Sequence, residues 1–219
     1  MRILCVALLA TLMMSASEAG KRAGEAADVL SEIMAAGDKS IPQDLLNKAH
    51  CAIVVPGLKK GAFIVGANYG RGFISCRKGR TGWSAPAGVR VEGGSFGFQI
   101  GGSETDVIML VLNERGAEKL MSSKFTLGGD ASVAAGPVGR TSSAETDALM
   151  RAEILSWSRS RGAFAGIALK GATMRPDADS NKELYGKELT NREILTGNTA
   201  TPEEAARLIS VLNKYSSRK

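Results

Sequence analysis

The sequence has few of the residues on which metal and thiol chemistry depend. Its 219 residues include one histidine and three cysteines, and aromatic side chains make up only 5% of the chain. It contains no Cys-x-x-Cys pair and no histidine cluster, so a zinc site of the usual ligand spacing is not expected. The longest apolar run, Ile3–Met14, is well short of the roughly 20 residues that a helix needs to cross a bilayer. These absences exclude a multi-span membrane protein and predict a protein without a metal or another cofactor.

Nucleophilic catalysis also lacks its usual residues. Cys51 follows His50, the single histidine, and neighbouring residues of a strand point to opposite faces, so the two cannot form a dyad. A Ser-His-Asp triad would need His50 as its base, and no Gly-x-Ser-x-Gly elbow or phosphate-binding Gly-x-x-x-x-Gly-Lys-Ser/Thr loop is present. Carboxylates are plentiful but form no motif, which leaves a two-acid hydrolase as the enzymatic alternative. The sequence predicts a protein that is not an enzyme.

The first 19 residues have the pattern of an export signal. Arg2 is a short positive region, Ile3–Met14 is apolar, and Ser17–Ala19 offers small residues at the cleavage positions. We expect cleavage after Ala19, with residues 20–219 as the mature domain in the periplasm or outside the cell. The alternative is a retained hydrophobic anchor.

The two cysteines that remain after such cleavage lie in strand-like segments. Cys51 and Cys76 would then be in an oxidising compartment, where a disulfide closing 25 residues would contribute about 3 kcal/mol. Two buried thiols that act as small apolar residues are an equal alternative.

The predicted secondary structure changes twice along the chain, from helices to short strands and back to helices. Apolar residues at helical spacing predict a helix over Lys21–Ala36, a short helix starting at Pro42 and another over Glu114–Met121, with further helices at Asn181–Gly186, Asn191–Leu195 and from Thr201. The middle alternates short apolar runs with glycine, of which the chain has 26, and the segment Gly66–Gly72 is interpreted as a hairpin turn. The predicted strands are Cys51–Val55, Gly61–Tyr69, Gly72–Arg77, Ala87–Glu92, Ser95–Gly101, Val107–Leu112, Ala131–Ala135, Ile154–Ser158 and Phe164–Leu169. This order predicts one α+β domain with a glycine-rich, twisted antiparallel core, either a sandwich or a partly closed barrel, flanked by terminal helices.

Charge is unevenly distributed along the chain. The formal net charge is +6, and no acidic residue occurs between Asp44 and Glu92. The same interval carries eight cations: Lys48, Lys59, Lys60, Arg71, Arg77, Lys78, Arg80 and Arg90. We expect Lys59-Lys60 and Arg77–Arg80 to lie in turns, where they can reach anionic headgroups at about 1 kcal/mol per cation. Nucleic acid is not expected as the partner, because few aromatic residues are available to stack on bases.

A series of short motifs then identifies the chain as similar to a known family. The motifs are Ile41–Leu46, Ala52–Pro56, Lys60–Phe63, Tyr69–Gly72, Trp83–Pro86, Gly97–Gly101, Leu127–Ala131, Gly136–Arg140, Trp157–Gly162, Phe164–Gly166 and Tyr185-Gly186. Their order and spacing over roughly residues 25 to 215 resemble the SYLF domain family. The resemblance implies binding to acidic lipids of the phosphoinositide or phosphatidic-acid type, with actin binding in part of the family and no catalytic activity. An exported protein would not ordinarily meet actin.

These observations together predict a protein that associates peripherally with anionic lipid through one exposed basic side. The expected lipid-binding residues are Lys59, Lys60, Arg71, Arg77, Lys78 and Arg80, with Arg140 and Arg161 added because they combine charge with a motif match. The alternative function is a scaffold of the cell envelope that binds a protein or polysaccharide, which an exposed apolar patch away from these cations would favour.

Overall fold

The computed structural model describes residues 16–62, 65–79, 82–96, 101–121, 124–138, 152–160, 163–166, 169 and 171–216. Its helices are α1 (Glu18–Ala35), α2 (Gln43–Lys48), α3 (Glu114–Leu120), α4 (Ala178–Tyr185), α5 (Asn191–Thr196) and α6 (Glu203–Tyr215). Its strands are β1 (Cys51–Ala62), β2 (Val65–Cys76), β3 (Ala87–Phe96), β4 (Gly101–Val111), β5 (Phe125–Thr126), β6 (Val133–Ala135), β7 (Ile154–Ser160), β8 (Ala163–Gly166) and β9 (Thr173–Pro176). None of the described helices is long and apolar enough to cross a membrane.

The strands form one sheet in the order β5-β9-β3-β2-β1-β4-β7-β6, with β8 paired to β7. Every pairing is antiparallel except that of β6 with β7. The sheet curls into a half-barrel, and an isolated bridge between Leu127, just after β5, and Ala131, just before β6, lies beside its two edge strands. The predicted α+β domain with a twisted antiparallel core is confirmed, and of the two architectures expected the structure has the partly closed barrel.

Alternation along the strands divides the apolar residues between an inner and an outer core. In β1, Ile53 and Val55 face the inside of the half-barrel, where α3 and α5 also pack. Ala52 and Val54 face outward and lie in the outer core, together with the fully buried Trp157. Helices α1 and α6 cover this outer core and contact each other across it. The outer face of the sheet beyond these helices carries polar side chains.

Strands β1 and β2 are longer than the sequence predicts. The strand predicted over Cys51–Val55 continues past Pro56 through a bulge at which Gly57 has a positive φ of 59°. The segment Gly66–Gly72, expected as a hairpin turn, lies within β2. Its glycines serve close packing, because a Cβ at Gly72 would lie 2.1 Å from the carbonyl oxygen of Val54. Lys59 and Lys60 are therefore strand residues and not turn residues.

Helix α1 starts earlier than the expected first residue of the domain. Ser17 is its N-cap, and the Ser17 hydroxyl accepts a hydrogen bond from the Gly20 amide. Small residues on one face, including Ala23 and Ala26, are fully buried and let α1 approach α6 closely. The sequence predicted the apolar stripe of this helix correctly but not its N-cap. With Ser17 as the cap, α1 begins at Glu18, two residues before residue 20.

Cys51 and Cys76 form a disulfide in the structure. They are the first residue of β1 and the last residue of β2, and they face each other in the register of the hairpin. Of the two alternatives that the sequence left open, the structure has the cross-link.

We expect the double substitution Cys51→Ala and Cys76→Ala to lower the free energy of unfolding by about 3 kcal/mol. The disulfide closes a loop of 25 residues, and its loss raises the conformational entropy of the unfolded chain more than that of the folded one. Urea denaturation of the two proteins at equal concentration measures the difference. A matched experiment on the unsubstituted protein in excess dithiothreitol should give the same midpoint as the double variant. An unchanged midpoint would contradict the prediction.

Candidate functional site

The structure does not bring the predicted lipid-binding cations to one side. Lys59 pairs with Tyr69, whereas Arg77 and Lys78 follow the pair formed by Cys51 and Cys76. Eight residues of β1 separate the two places, which corresponds to about 25 Å at about 3.3 Å per residue. The two groups therefore lie at opposite ends of the hairpin. Arg80, Arg140, Arg161 and the side chain of Lys60 lie outside the described residues.

Arg71 is bound to a carboxylate that follows β9. Its Nε and a terminal nitrogen donate to the two oxygens of Asp177 at 2.5 and 2.8 Å. Asp177 is buried and also accepts from Ser180 at the first turn of α4. Burial raises the pKa of Asp177, but the hydrogen bonds from Arg71 and Ser180 outweigh it, so its pKa lies below the usual value. Arg71 thus has a structural partner and is not available as a headgroup ligand.

Arg77 is also held by the protein. Its guanidinium lies 4.0 Å from the ring centroid of Trp83 and donates to the carbonyl oxygens of Leu46 and Ala49. The Trp83 indole in turn donates to Ser216 at the end of α6. These contacts tie the end of β2 to α2 and α6, so Arg77 acts as a packing residue.

Lys78 and Lys59 keep more freedom than the two arginines. The Lys78 ammonium donates to the side chain of Asn198 at 3.0 Å in an exposed contact. Lys59 is exposed on the outer face of β1, opposite Glu104 of β4. Of the predicted residues whose side chains the structure describes, these two are positioned to meet an external anion.

The strand register creates a basic feature that the sequence did not reveal. Arg71 of β2 faces Arg90 of β3, and Arg90 faces Arg175 of β9, so three arginines form a row across adjacent strands. Their neighbours Val89, Val91 and Met174 point into the inner core. The row therefore lies on the outer face, where the start of α4 contacts Arg71, and Arg90 and Arg175 are partly exposed.

The neighbouring row of the same face contains Tyr69 and Glu92, which face each other across β2 and β3. Tyr69 is 49% exposed, more than any other large aromatic side chain among the described residues. We call Lys59, Tyr69, Arg90, Glu92 and Arg175 the arginine face. Its side chains come from four adjacent strands, and the tyrosine lies among the cations.

Two arginines of this face share one carboxylate. Arg90 Nε is 3.0 Å from one oxygen of Glu92, and Arg175 Nε is 3.8 Å from the other. Among the described residues neither Nε has a hydrogen-bond acceptor in suitable geometry, although both atoms are buried. The two side chains as a whole are 37% and 41% exposed, so their outer nitrogens reach solvent. Two guanidinium groups with donors to spare can bind an oxyanion jointly.

Neither arginine of this pair was among the lipid-binding residues that the sequence predicted. Arg90 belongs to the interval without acidic residues, but Arg175 lies on a strand that follows α3 and several loops. Only the pairing of β3 with β9 places the two side by side. The alternation around Met174 would have predicted that Arg175 is exposed, but not which residue it faces.

A cleft of about 480 Å³ between α1 and the sheet contains several carboxylates, among them Glu25, Glu104 and Asp106. Burial raises the pKa of Asp106, and nearby Glu104 adds to this, while a hydrogen bond from Gly57 opposes it. One oxygen of Asp106 accepts from the Gly57 amide and the other from Arg159. Arg159 also pairs with Glu32 of α1, so the Arg159 side chain links the helix to the sheet across this cleft. Asp106 is thus a structural acceptor, which does not favour the two-acid hydrolase.

Two further features bear on the alternatives. Within the described ranges, no group of three or more His, Cys, Asp and Glu side chains could hold a metal ion. In the same part of the chain the exposed large hydrophobic residues are Tyr69 and Val138, which form no broad apolar patch. The observation that would favour a protein-binding scaffold is thus not found there.

Comparison with known proteins identifies relatives of the chain. Residues 92–215, more than half of the sequence, match the family model described as Ysc84, Las17-binding protein actin regulator. The chain is 36% identical over 177 residues to an SH3 domain-containing protein of Schizosaccharomyces pombe, an alignment that covers 79% of the chain and 41% of that protein. It is 31% identical over 182 residues to the SH3 domain-containing YSC84-like protein 1 of Rattus norvegicus, with 83% and 53% covered. LAS seventeen-binding protein 3 of Saccharomyces cerevisiae is 34% identical over 179 residues, with 80% and 39% covered.

The chain thus spans about two-fifths to one-half of the length of the relatives it matches. The alignments cover about four-fifths of the chain itself, so the similarity concerns nearly the whole fold described above.

Proposed function

Because the chain belongs to the Ysc84 family, whose domain is also known as SYLF, we propose that it is a non-enzymatic domain that binds anionic phospholipid headgroups at a membrane surface. The observation that supports this best is the arginine face, where Arg90 and Arg175 share a single carboxylate. Lys59 and Lys78 are available as additional cations. The group of cations that we assign to lipid binding therefore differs from the one that the sequence suggested.

The form of the arginine face suits a surface contact. It lies on the outer side of a rigid sheet, and strand register fixes the spacing between its two arginines. Tyr69 offers a ring with a polar tip, a side chain that is favoured at the level of lipid headgroups. Since the charges come from folded strands, binding needs no ordering of a loop and loses little conformational entropy.

We propose further that the chain is exported and acts on the outer side of a cytoplasmic membrane. The pattern of Arg2 and the apolar segment Ile3–Met14 supports this proposal. Some relatives are named for binding Las17 or for an SH3 domain. We propose that this chain binds lipid and, as an exported protein, does not meet those partners.

We expect the double substitution Arg90→Glu and Arg175→Glu to weaken binding to anionic vesicles by more than tenfold. Each cation near an anionic surface contributes about 1 kcal/mol, and tenfold corresponds to about 1.4 kcal/mol. Vesicles of phosphatidylcholine with increasing phosphatidylglycerol or phosphatidic acid, sedimented with the protein, measure the change. Binding of the unsubstituted protein should fall as salt rises.

The matched control is the double variant Lys182→Glu and Arg192→Glu, which changes the net charge equally on exposed positions of α4 and α5. It should keep at least half of the binding. Equal loss in both double variants would show that only total charge matters and would reject the arginine face. No binding of the unsubstituted protein to any anionic vesicle would reject the proposed function.

A further inference from the structure

We propose that the export signal is removed between Ala16 and Ser17, and that the α-amino group created at Ser17 is bound by the carboxylate of Glu204. The proposal rests on the export proposed above. It moves the processing site three residues upstream of the one that the sequence alone suggested.

Both oxygens of Glu204 are already directed at Ser17. The Ser17 backbone nitrogen is 2.9 Å from one oxygen, and the Ser17 hydroxyl is 2.7 Å from the other. These hydrogen bonds hold the pKa of Glu204 below its usual value, so the carboxylate is ionised at neutral pH. Glu204 lies in the first turn of α6, and the contact therefore joins the two ends of the described chain.

The residues after Ser17 are part of the folded domain. The Ala19 amide donates to the carboxylate of Glu183 in α4 at 2.8 Å, and Ala19 and Gly20 are both buried. Cleavage after Ala19 would remove the N-cap of α1 and the partners of two glutamates. Ala16, by contrast, is exposed and precedes the helix. Cleavage before Ser17 leaves all of these contacts in place.

Cleavage would strengthen the contact between the Ser17 nitrogen and Glu204. Hydrolysis adds one water molecule across the peptide bond, leaving a carboxylate on Ala16 and an ammonium on Ser17. The ammonium takes the place of the Ser17 amide donor at Glu204, and a charged donor makes a stronger hydrogen bond to a carboxylate. An ammonium at a helix N-terminus is unfavourable by itself, and the carboxylates of Glu204 and Glu18 offset this. Ala16 supplies the small residue directly before the bond, and Met14 stands at the third position before it. The full small-x-small pattern is matched by Ser17 and Ala19, so the proposed site rests on the folded contacts of Ser17 to Gly20 and not on that pattern.

The first test is the N-terminus of the full chain produced in an exporting bacterial host. Intact mass and N-terminal sequencing of the exported protein should show Ser17 as the first residue. Ala16→Leu, at an exposed position, should abolish processing at this bond. A protein that starts at Gly20, with Ala16→Leu processed normally, overturns the site. A protein that retains Met1 overturns the export on which the site depends, and the vesicle assay above is unaffected by that outcome.

The second test measures the bound amine in the protein that starts at Ser17. We expect Glu204→Gln to make the α-amino group react several-fold faster with an amine-acylating reagent at neutral pH, because loss of the carboxylate lowers the pKa of the amine. Glu203→Gln is the matched control, since Glu203 is the neighbouring glutamate of the same helix turn. It should leave the rate unchanged. Equal rates in all three proteins would overturn the binding of the amine by Glu204.

Discussion

Substituting Arg71 by methionine is expected to lower the free energy of unfolding by about 3–5 kcal/mol. The substitution leaves Asp177, whose side chain is only 1% exposed, without the guanidinium that binds both of its oxygens. A buried carboxylate with no cationic partner must either stay charged in an apolar site or take up a proton. Urea denaturation at pH 7 measures the loss. Arg90→Met is the matched control, because Arg90 lies in the same row but pairs with the partly exposed Glu92, and it should cost less than about 1 kcal/mol.

The pH dependence of stability should change sign in this variant. In the unsubstituted protein the pKa of Asp177 is lower when folded than when unfolded. Its contribution is therefore present above the unfolded pKa of about 3.9 and is lost as the pH falls through the lower folded value. Without Arg71, only the hydrogen bonds from Ser180 oppose burial, and we expect burial to outweigh them and to raise the folded pKa of Asp177 above the unfolded value. The variant then loses stability as the pH rises through that value, and Asp177→Asn added to it should recover part of the loss. Parallel pH profiles for both proteins would contradict this account.

Substituting Gly72 by alanine is expected to cost at least about 3 kcal/mol or to prevent folding. The added Cβ would lie 2.1 Å from the carbonyl oxygen of Val54 and 2.7 Å from the Cα of Val55. Both atoms belong to the backbone of β1, so no side-chain rotation relieves the overlap, and the central hairpin has to separate. Thermal denaturation followed by circular dichroism measures the effect.

Gly24→Ala provides the matched control for Gly72→Ala. A Cβ at Gly24 in α1 meets no atom within 4 Å. The substitution should raise stability by roughly 0.5–1 kcal/mol, because alanine favours a helix more than glycine does. Opposite signs for the same chemical change are the expected result. A Gly72→Ala protein as stable as the unsubstituted one would show that β1 and β2 are less closely packed than described.

The sequence predicted those parts of the fold that local patterns determine. The helical stripes of α1 and α6 and the short apolar runs in β1 and β4 are local patterns, which are visible without the structure. It did not predict that β1 continues past Pro56, because a bulge depends on the neighbouring strand. The glycines of β2 suggested a turn for the same reason, since their role is to make room for the backbone of β1.

The sequence predicted that the candidate site is basic, but not which cations form it. Of the expected site residues Lys59, Arg71 and Arg77, only Lys59 belongs to the arginine face. Arg90, which does belong to it, was counted in the same interval but was not expected in the site. Arg71 pairs with a carboxylate 106 positions away, and Arg77 packs on Trp83. A cation that looks unpaired along the chain can thus have its partner in a distant segment. Register between distant strands, which the sequence does not encode locally, decides which charges remain available.

The position of β9 affects how the chain reaches its folded state. This late strand lies between β3 and β5, and α6 at the far end of the chain packs on α1 at the beginning. Neither core can close until nearly the whole chain has been synthesised, so the contacts that β9 and α6 make close long loops and form slowly. The segment from β9 to α6 therefore completes both cores.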